Sequence, residues 1–415
     1  MALGDTLKTV TLDEARSYPF WRGPVALLAV MAFAMPVAFA TWSALLNNFV
    51  IEMARFDGSD IGWLHTVREI PGFLAIGVIV LILVIREQVL ALISLALLGV
   101  ASALTAQFPS LGGLLFITLL SSIGFHYYET VNQSLQLQWI KKERAPQTLG
   151  WLLSVGSGAT LLAYLLIVIT WRNYDLSYDL VYWVSGGVTA VIALGCFLVY
   201  PQFESPNPQK KTMVLRSRYW LYYALQFMSG ARRQIFVVFA GFMMVERYGF
   251  EVHHITALYM VTLLTNMVVA PFLGRAVAFF GERAALVVEY AGLAVIFVLY
   301  AGLYIFDWGA EFAAGLYIAN HIFFALALAI KTYFQKIADP ADIAPTAAVA
   351  FTINHIAAVF LPVGLGYLWL TSPTAVFAAA AAMALVSLGL SMLVPRHPVP
   401  GRETIMVRDG AQPAE

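Results

Sequence analysis

Polar and charged side chains recur inside long apolar runs of this chain, and their spacing limits what chemistry they could do. Ser122, His126, Glu129 and Gln133 are four, three and four residues apart, which stacks them on one helix face beside Asn132. Once buried, an imidazole and a carboxyl group can each take up or release a proton near neutrality, so His126 and Glu129 form a proton-handling pair. The alternative is a strip of interhelical hydrogen bonds that ties a bundle together.

A second cluster places Tyr222, Gln226, Ser229 and Arg233 on one face, with Arg232 beside it. Twelve residues separate Trp220 from Arg232, about 18 Å along a helix, and Arg233 lies about 21 Å from Arg247 by the same rule. Neither arginine can easily snorkel to a headgroup over such distances. Guanidinium forks suit a carboxylate or phosphate, so Arg232, Arg233 and Gln226 read as solute-binding residues, with Asn132, Gln133 and Asn320. Adjacent residues point about 100° apart on a helix, so both arginines meet one ligand only if Ser229-Gly230 loosens the turn. The competing reading pairs one arginine with Glu129 or Glu69 as a lock within the bundle.

His65, Arg68 and Glu69 fall within one helical turn, and with His355 they are expected to form an outer gate. Arg68 and Glu69 are sequence neighbours, so each is expected to reach toward another helix; plain structural pairing is the alternative. His321 could face a cavity or be a satisfied structural residue. Glu289, near Arg283, reads as structural. No His-x3-His, Cys-x2-Cys or Asp-x-Asp spacing suggests a metal, and no cofactor is implied. No Gly-x4-Gly-Lys-Ser/Thr loop is present, so ATP is not the direct energy source, and no nucleophile elbow or His-Glu-x2-His motif points to an enzyme.

The elements that carry these residues follow from composition. Of 415 residues, 60% are hydrophobic and 12% charged, against about 25% charged in soluble domains. With a formal net charge of zero, nothing in the composition suggests nucleic acid or an acidic partner. A membrane helix needs about 20 mostly apolar residues. Twelve runs qualify: about 25–50, 61–85, 88–107, 112–138, 148–171, 179–200, 219–246, 253–278, 284–305, 310–335, 345–369 and 372–394. With a cytoplasmic N-terminus, inner segments hold eighteen Lys and Arg residues, while the outer loops hold only Arg55, Arg172 and Arg247. That asymmetry fixes the orientation. Trp21, Trp63, Trp183, Trp220 and Trp308 near span starts, and Trp139, Trp171 and Trp369 near span ends, mark the interfaces.

The expected division is a cytoplasmic tail (1–24), a six-helix bundle (25–200), a basic linker (201–218), a second six-helix bundle (219–394) and a cytoplasmic tail (395–415). Gln138-Trp-Ile140 before Ala145-Pro146 recurs as Gln335-Lys-Ile337 before Ala344-Pro345, a weak internal repeat. With twelve spans, a 6+6 division and a basic central loop, the chain resembles the major facilitator superfamily of secondary transporters. Its signature loop is reduced to Ile85-Arg86-Glu87-Gln88 in the first half. In the second it persists in part from Gly274-Arg275 to Gly281-Glu282-Arg283, with Ala278 where the family has Asp.

The resemblance implies an all-α integral membrane fold of twelve transmembrane helices in two pseudo-symmetric six-helix bundles. It also implies alternating access and a small-molecule substrate, anionic or zwitterionic by the arginines. Membrane carboxyl groups make proton symport one expectation, and uniport or antiport would fit as well. The protein is expected to be a monomer in the lipid bilayer of a bacterial inner membrane, multi-pass, with both termini cytoplasmic and no nucleic-acid partner. The alternatives are a flippase or exporter of lipid or hydrophobic compounds, which the aromatics Phe323, Phe324, Tyr333 and Phe334 keep open, and a non-transporting membrane assembly factor of the same fold.

Overall fold

The computed structural model describes residues 9–74, 76–82, 84–140, 144–204, 215–339 and 342–406. The far amino-terminal residues, most of the linker and the last residues of the carboxy-terminal tail, with Lys8, Lys141, Lys142, Lys210, Lys211 and Arg408, lie outside the described residues.

The helices in chain order are α1 (Pro24–Glu52), α2 (Gly58–Phe73), α3 (Ile76–Ile82), α4 (Glu87–Leu104), α5 (Leu111–Trp139), α6 (Ala145–Asn173) and α7 (Tyr178–Val199). They continue with α8 (Trp220–Ile235), α9 (Gly241–Glu246), α10 (Val252–Phe280), α11 (Glu282–Ile305), α12 (Ala310–Phe324), α13 (Leu328–Ile337), α14 (Ile343–Thr371) and α15 (Pro373–Met392). Ten helices among the described residues are long and apolar enough to cross a membrane. The two remaining expected runs are broken rods: α2 and α3, and α8 with α9. These carry Arg68 and Glu69, and Arg232 and Arg233, which dilute their apolar character. A π-helical turn, Phe236–Ala240, joins α8 to α9.

The chain divides into two compact units. The first comprises residues 1–55, 67–210 and 251–257; the second comprises 56–66, 211–250 and 258–415. The opening turns of α2 therefore group with the second unit and those of α10 with the first.

In the first unit α4 packs backbone to backbone on two neighbours. A Cβ on Gly186 of α7 would lie 2.3 Å from both Ala103 N and Gly99 O, and one on Gly124 of α5 would lie 2.6 Å from Leu98 N. Small residues let membrane helices approach this closely, where dispersion contacts replace the missing hydrophobic drive. Thr189 Oγ1 donates to Ala34 O at 2.8 Å, fastening α7 to α1.

The amino-terminal tail, expected to be merely polar, is partly built into this unit. Residues Thr9–Val10 (β1) pair in parallel with Gln202–Phe203 (β2), Thr9 opposite Gln202 and Val10 opposite Phe203. Val10 and Ala15 are buried. Gln88 holds the second strand from α4, donating to Pro201 O and accepting from Phe203 N, both at 2.9 Å. Arg22 Nε donates to Val199 O, and Tyr200 OH to Trp21 O. The start of the expected linker is thus the strand that receives the tail. A lone two-residue strand has no periodicity to read.

In the second unit α11 packs along α15 and α12, with Gly292 accommodating the Phe323 ring. The partial signature loop turns at Gly281, whose φ of 84° suits glycine. Glu282 behind it is buried and meets Lys336 Nζ at 2.7 Å. Ahead of α8, Arg216 Nε donates to Asp342 Oδ2 at 2.5 Å, and Arg218 bridges Asp339 and Asp342. The Arg216 guanidinium holds the Asp342 carboxyl below the usual carboxylate range. Past α15 the tail folds back: Glu403 and Thr404 are buried, and Tyr333 OH donates to Glu403 O.

Candidate functional site

The second unit contains a cavity of about 170 Å³ lined by Arg232, Arg233, Phe236, Val237, Leu293, Phe297, Asn320, His321 and Phe324. Its position follows from the chain. Arg232 and Arg233 fill the last turn of α8, and the Phe236 amide is shared between their two carbonyls. The wider π-helical turn begins at that residue. Such turns insert one extra residue and shift the register of the helix beyond them. The Ser229-Gly230 loosening expected from sequence is not where the geometry changes. The change comes just after the arginines.

The two arginines differ. Arg232 is 1% exposed. Its Nε donates to Met228 O at 3.2 Å, its guanidinium lies 4.4 Å above the Tyr290 ring, and an Nη lies 3.8 Å from Glu289 Oε1. Arg233 is half-buried and its Nη donates to Asn354 Oδ1 at 3.0 Å. Asn354 Nδ2 in turn donates to Gln226 O at 3.1 Å. Gly230 makes this clamp between α8 and α14 possible, because a Cβ there would sit 2.5 Å from Asn354 O. Gln226 itself donates to Tyr222 OH at 3.3 Å and does not line the cavity.

Opposite the arginines, Asn320 is buried and its Oδ1 accepts no hydrogen bond. His321 uses Nδ1 on Tyr317 O at 3.0 Å and sets its ring edge-on to Phe236 at 5.1 Å. That bond makes Nδ1 the protonated nitrogen and leaves Nε2 an acceptor in the neutral ring. Two guanidinium groups, an amide and an imidazole share one small chamber with three phenyl rings. The chamber can hold a compact anionic group, with apolar surface for what is attached to it.

In the first unit the strip on α5 separates by depth. Ser122 is buried and donates to Arg68 O; His126 is buried, its ring edge-on to Phe125 at 5.1 Å; Glu129 is half-buried; Gln133 is exposed. Glu129 forms no hydrogen bond among the described residues, and Asn132 Oδ1 is buried without one. Farther along, Ser134 and Gln138 both donate to Glu87 Oε2, at 2.9 and 2.8 Å.

The four residues expected at a gate divide between the units. Arg68 and Glu69 belong to the first, and they correct the sequence expectation: Arg68 Nη2 donates to Glu69 Oε1 at 2.6 Å. Four rotatable bonds let the arginine fold over its neighbour although their Cα–Cβ vectors diverge. His65 is buried in the part of α2 that joins the second unit, where Thr66 Oγ1 donates to Val359 O at 2.8 Å. His355 is buried and uses Nδ1 on Phe351 O at 2.9 Å.

Sequence reasoning also gave Glu289 the wrong neighbour. Arg283 is nearer in sequence, but six residues turn a helix through about 600° at 3.6 residues per turn, so the two point in different directions. Of the chamber's three phenyl rings, Phe324 was among the aromatics singled out in the sequence, while Phe236 and Phe297 carried no signal in so aromatic a chain.

The sequence matches the family model of the Major Facilitator Superfamily over residues 23–362. No curated protein matches it. Two crystal structures of nucleoside transporter NupG, one of them a point mutant, share the fold with a TM-score of 0.72 each. They are 14% (mutant) and 13% identical to this chain, cover 89% of it, and are themselves covered to 99% and 98%. At that identity the likeness is one of fold.

Proposed function

Because the chain belongs to the Major Facilitator Superfamily, we propose that this multi-pass membrane protein carries a small solute bearing an anionic group, and that the chamber of Arg232, Arg233, Asn320 and His321 receives that group. The observation that carries this reading is the pair of arginines lining one small chamber, with both terminal nitrogens of Arg232 buried and without an acceptor among the described residues. Charged side chains within a membrane cost about 2.5–3.5 kcal/mol each on insertion scales, which favours a functional role or a fixed partner for both. At about 170 Å³ the chamber is smaller than pockets that enclose whole ligands, about 300–1,000 Å³. It is therefore a subsite for a headgroup.

Residues 25–200 and 219–394 would be the two bodies of an alternating-access cycle, with His65, Arg68, Glu69 and His355 at an outer gate. Glu129 and His126 would take part in coupling to protons, and Asn132 and Gln133 would contact the solute. The setting would be a bacterial inner membrane, with both termini cytoplasmic and a monomeric protein.

One observation favours a second reading: the phenyl rings of Phe236, Phe297 and Phe324, with Val237 and Leu293, make the chamber wall mostly apolar. They suit a hydrophobic compound, or a nucleoside base such as the transporter of similar fold handles, stacked on an aromatic face. A neutral solute offers no charge to the two guanidinium groups that line the chamber, so this reading ranks second.

The test is a thermal-shift screen of carboxylates, phosphates, nucleosides and lipids on detergent-purified protein. A ligand at 100 times its Kd adds about 2.7 kcal/mol of stability. Stabilisation by an anion class that disappears in Arg233→Gln is the expected result. Stabilisation only by nucleosides, lipids or uncharged aromatics, equal in both proteins, would transfer the assignment to the second reading.

A further inference from the structure

Glu289 has no exposed surface, and neither of its carboxylate oxygens accepts a hydrogen bond among the described residues. Its one cation, Arg232, stands 3.8 Å away, beyond hydrogen-bonding range. Both terminal nitrogens of Arg232 also lack an acceptor. A structural pair at this depth would be expected to close to about 2.7–2.9 Å, because only direct contact offsets the several kcal/mol lost in dehydrating each ion. This pair stays open, and Arg232 also forms the wall of the anion chamber. Leu293, one turn along α11 from Glu289, lines the same chamber.

We propose that Glu289 is a proton-binding site linked to the chamber: when an anionic group enters and draws on Arg232, Glu289 takes up a proton. The proposal rests on the anion reading given above. A carboxylate that loses its cation in a dry interior is far less stable ionised than protonated. One proton passes from water to a Glu289 oxygen, no other bond changes, and the charge of the occupied chamber equals that of the empty one. Each anionic group is then accompanied by one proton.

The surroundings single out this carboxyl. Tyr290, its neighbour on α11, lies beneath the Arg232 guanidinium. Arg233 follows Arg232 on α8. On α13, Lys336 is tied to Glu282, two turns before Glu289. The packed face of α15 presents no titratable group at all. His321 on α12 is the other proton acceptor at the chamber, and it serves as the control.

Full-length protein in detergent is titrated with acetate or inorganic phosphate by calorimetry, in two buffers of different ionisation enthalpy. Wild type should take up close to one proton per anion bound, and its affinity should tighten by up to about tenfold per pH unit of acidification. Glu289→Gln should bind with no proton uptake and no such pH dependence. His321→Gln should keep the uptake per bound anion, whatever its affinity. Infrared spectra supply an arm that needs no ligand. Arg232→Gln should show the carbonyl stretch of a protonated carboxylic acid at neutral pH, absent from Arg232→Gln/Glu289→Gln.

Unchanged proton uptake in Glu289→Gln, or no acid band in Arg232→Gln, overturns the linkage alone. No binding of either anion to the wild type overturns it together with the anion reading. Should Arg232→Gln not accumulate, the calorimetric comparison of wild type with Glu289→Gln decides.

Discussion

The third span of each half solves the same packing problem with different materials. In the first unit α4 is apolar or small through its middle, and Gly99 brings it against Gly186 of α7 without intervening side chains. In the second unit α11 buries Glu289 against Arg232 of α8, the first span of that half, and sets Tyr290 under the guanidinium. The middle of α1, the first span of the other half, carries Met35 and Pro36 but no charge. A helix joined through glycine backbones resists change of any kind. A helix joined through an open ion pair rearranges when either charge is altered. The comparison teaches that two bundles of similar fold can join corresponding helices by unlike contacts, glycine backbones in one and a buried ion pair in the other.

The largest effect should come from breaking that pair. Arg232→Ala removes a fully buried side chain and its contact with the Tyr290 ring, leaves a void and obliges Glu289 to take up a proton, which should cost about 2–5 kcal/mol, read as a lowered unfolding temperature in detergent. Replacing both members, Arg232→Leu with Glu289→Leu, should recover most of the loss while abolishing anion-induced stabilisation. If the double variant is as unstable as the single one, the pair is not the organising contact of this unit.

Next comes the glycine contact. Gly186→Val puts a branched side chain where even a Cβ would lie 2.3 Å from backbone atoms of α4. It should cost at least the 1–3 kcal/mol typical of overpacking, with no change in which anions stabilise the protein. An altered ligand profile would contradict the separation of scaffold from working centre.

Asn354→Ala removes the acceptor of Arg233 and the donor to Gln226 O. About 1 kcal/mol of stability should be lost for each bond, and anion-dependent stabilisation should weaken as Arg233 loses its orientation. Glu129→Gln is the counterpart in the first unit. With no hydrogen bond to lose among the described residues, it should change stability by no more than about 0.5 kcal/mol. Transport assays then show whether the first unit contributes chemistry: wild-type rates in Glu129→Gln would confine the chemistry to the second.

The smallest effect is at the Arg216–Asp342 contact, where half of the Arg216 side chain is in solvent. Because Asp342 titrates below the ordinary value of about 3.9, its contribution is fully present above that pH. It is lost as pH falls toward the depressed value of the folded chain. Asp342→Asn should therefore lower stability slightly in the neutral region, where the contact contributes, leave the acid end nearly unchanged and so flatten the acid limb of the profile.

Much of the fold was legible because membrane helices advertise themselves by length and apolarity. Of the twelve runs expected, ten stand as long apolar helices. The two that fall short, α2 with α3 and α8 with α9, each carry two adjacent charged residues, Arg68-Glu69 and Arg232-Arg233, whereas the single carboxyl groups Glu129 and Glu289 sit in long apolar helices without blurring them. Arg232 and Arg233 could be placed deep in a span by counting residues to Trp220 and Arg247. Their partners could not, because Glu289 and Asn354 lie 57 and 121 positions away from them and only packing brings them together. The Arg68–Glu69 contact was misjudged for the opposite reason. Cβ directions describe short side chains well, but an arginine is long enough to fold back on its neighbour.

The small pairing of β1 with β2 bears on how the protein is made. Val10 is synthesised 193 residues before its partner Phe203. At about 5–20 residues per second that is a wait of roughly 10–40 s. During it the first six spans must be inserted while the amino-terminal segment stays unpaired. The pairing therefore forms only after the six spans between the two strands have been made, so protection of the Thr9–Val10 segment from protease would mark a first unit that is complete.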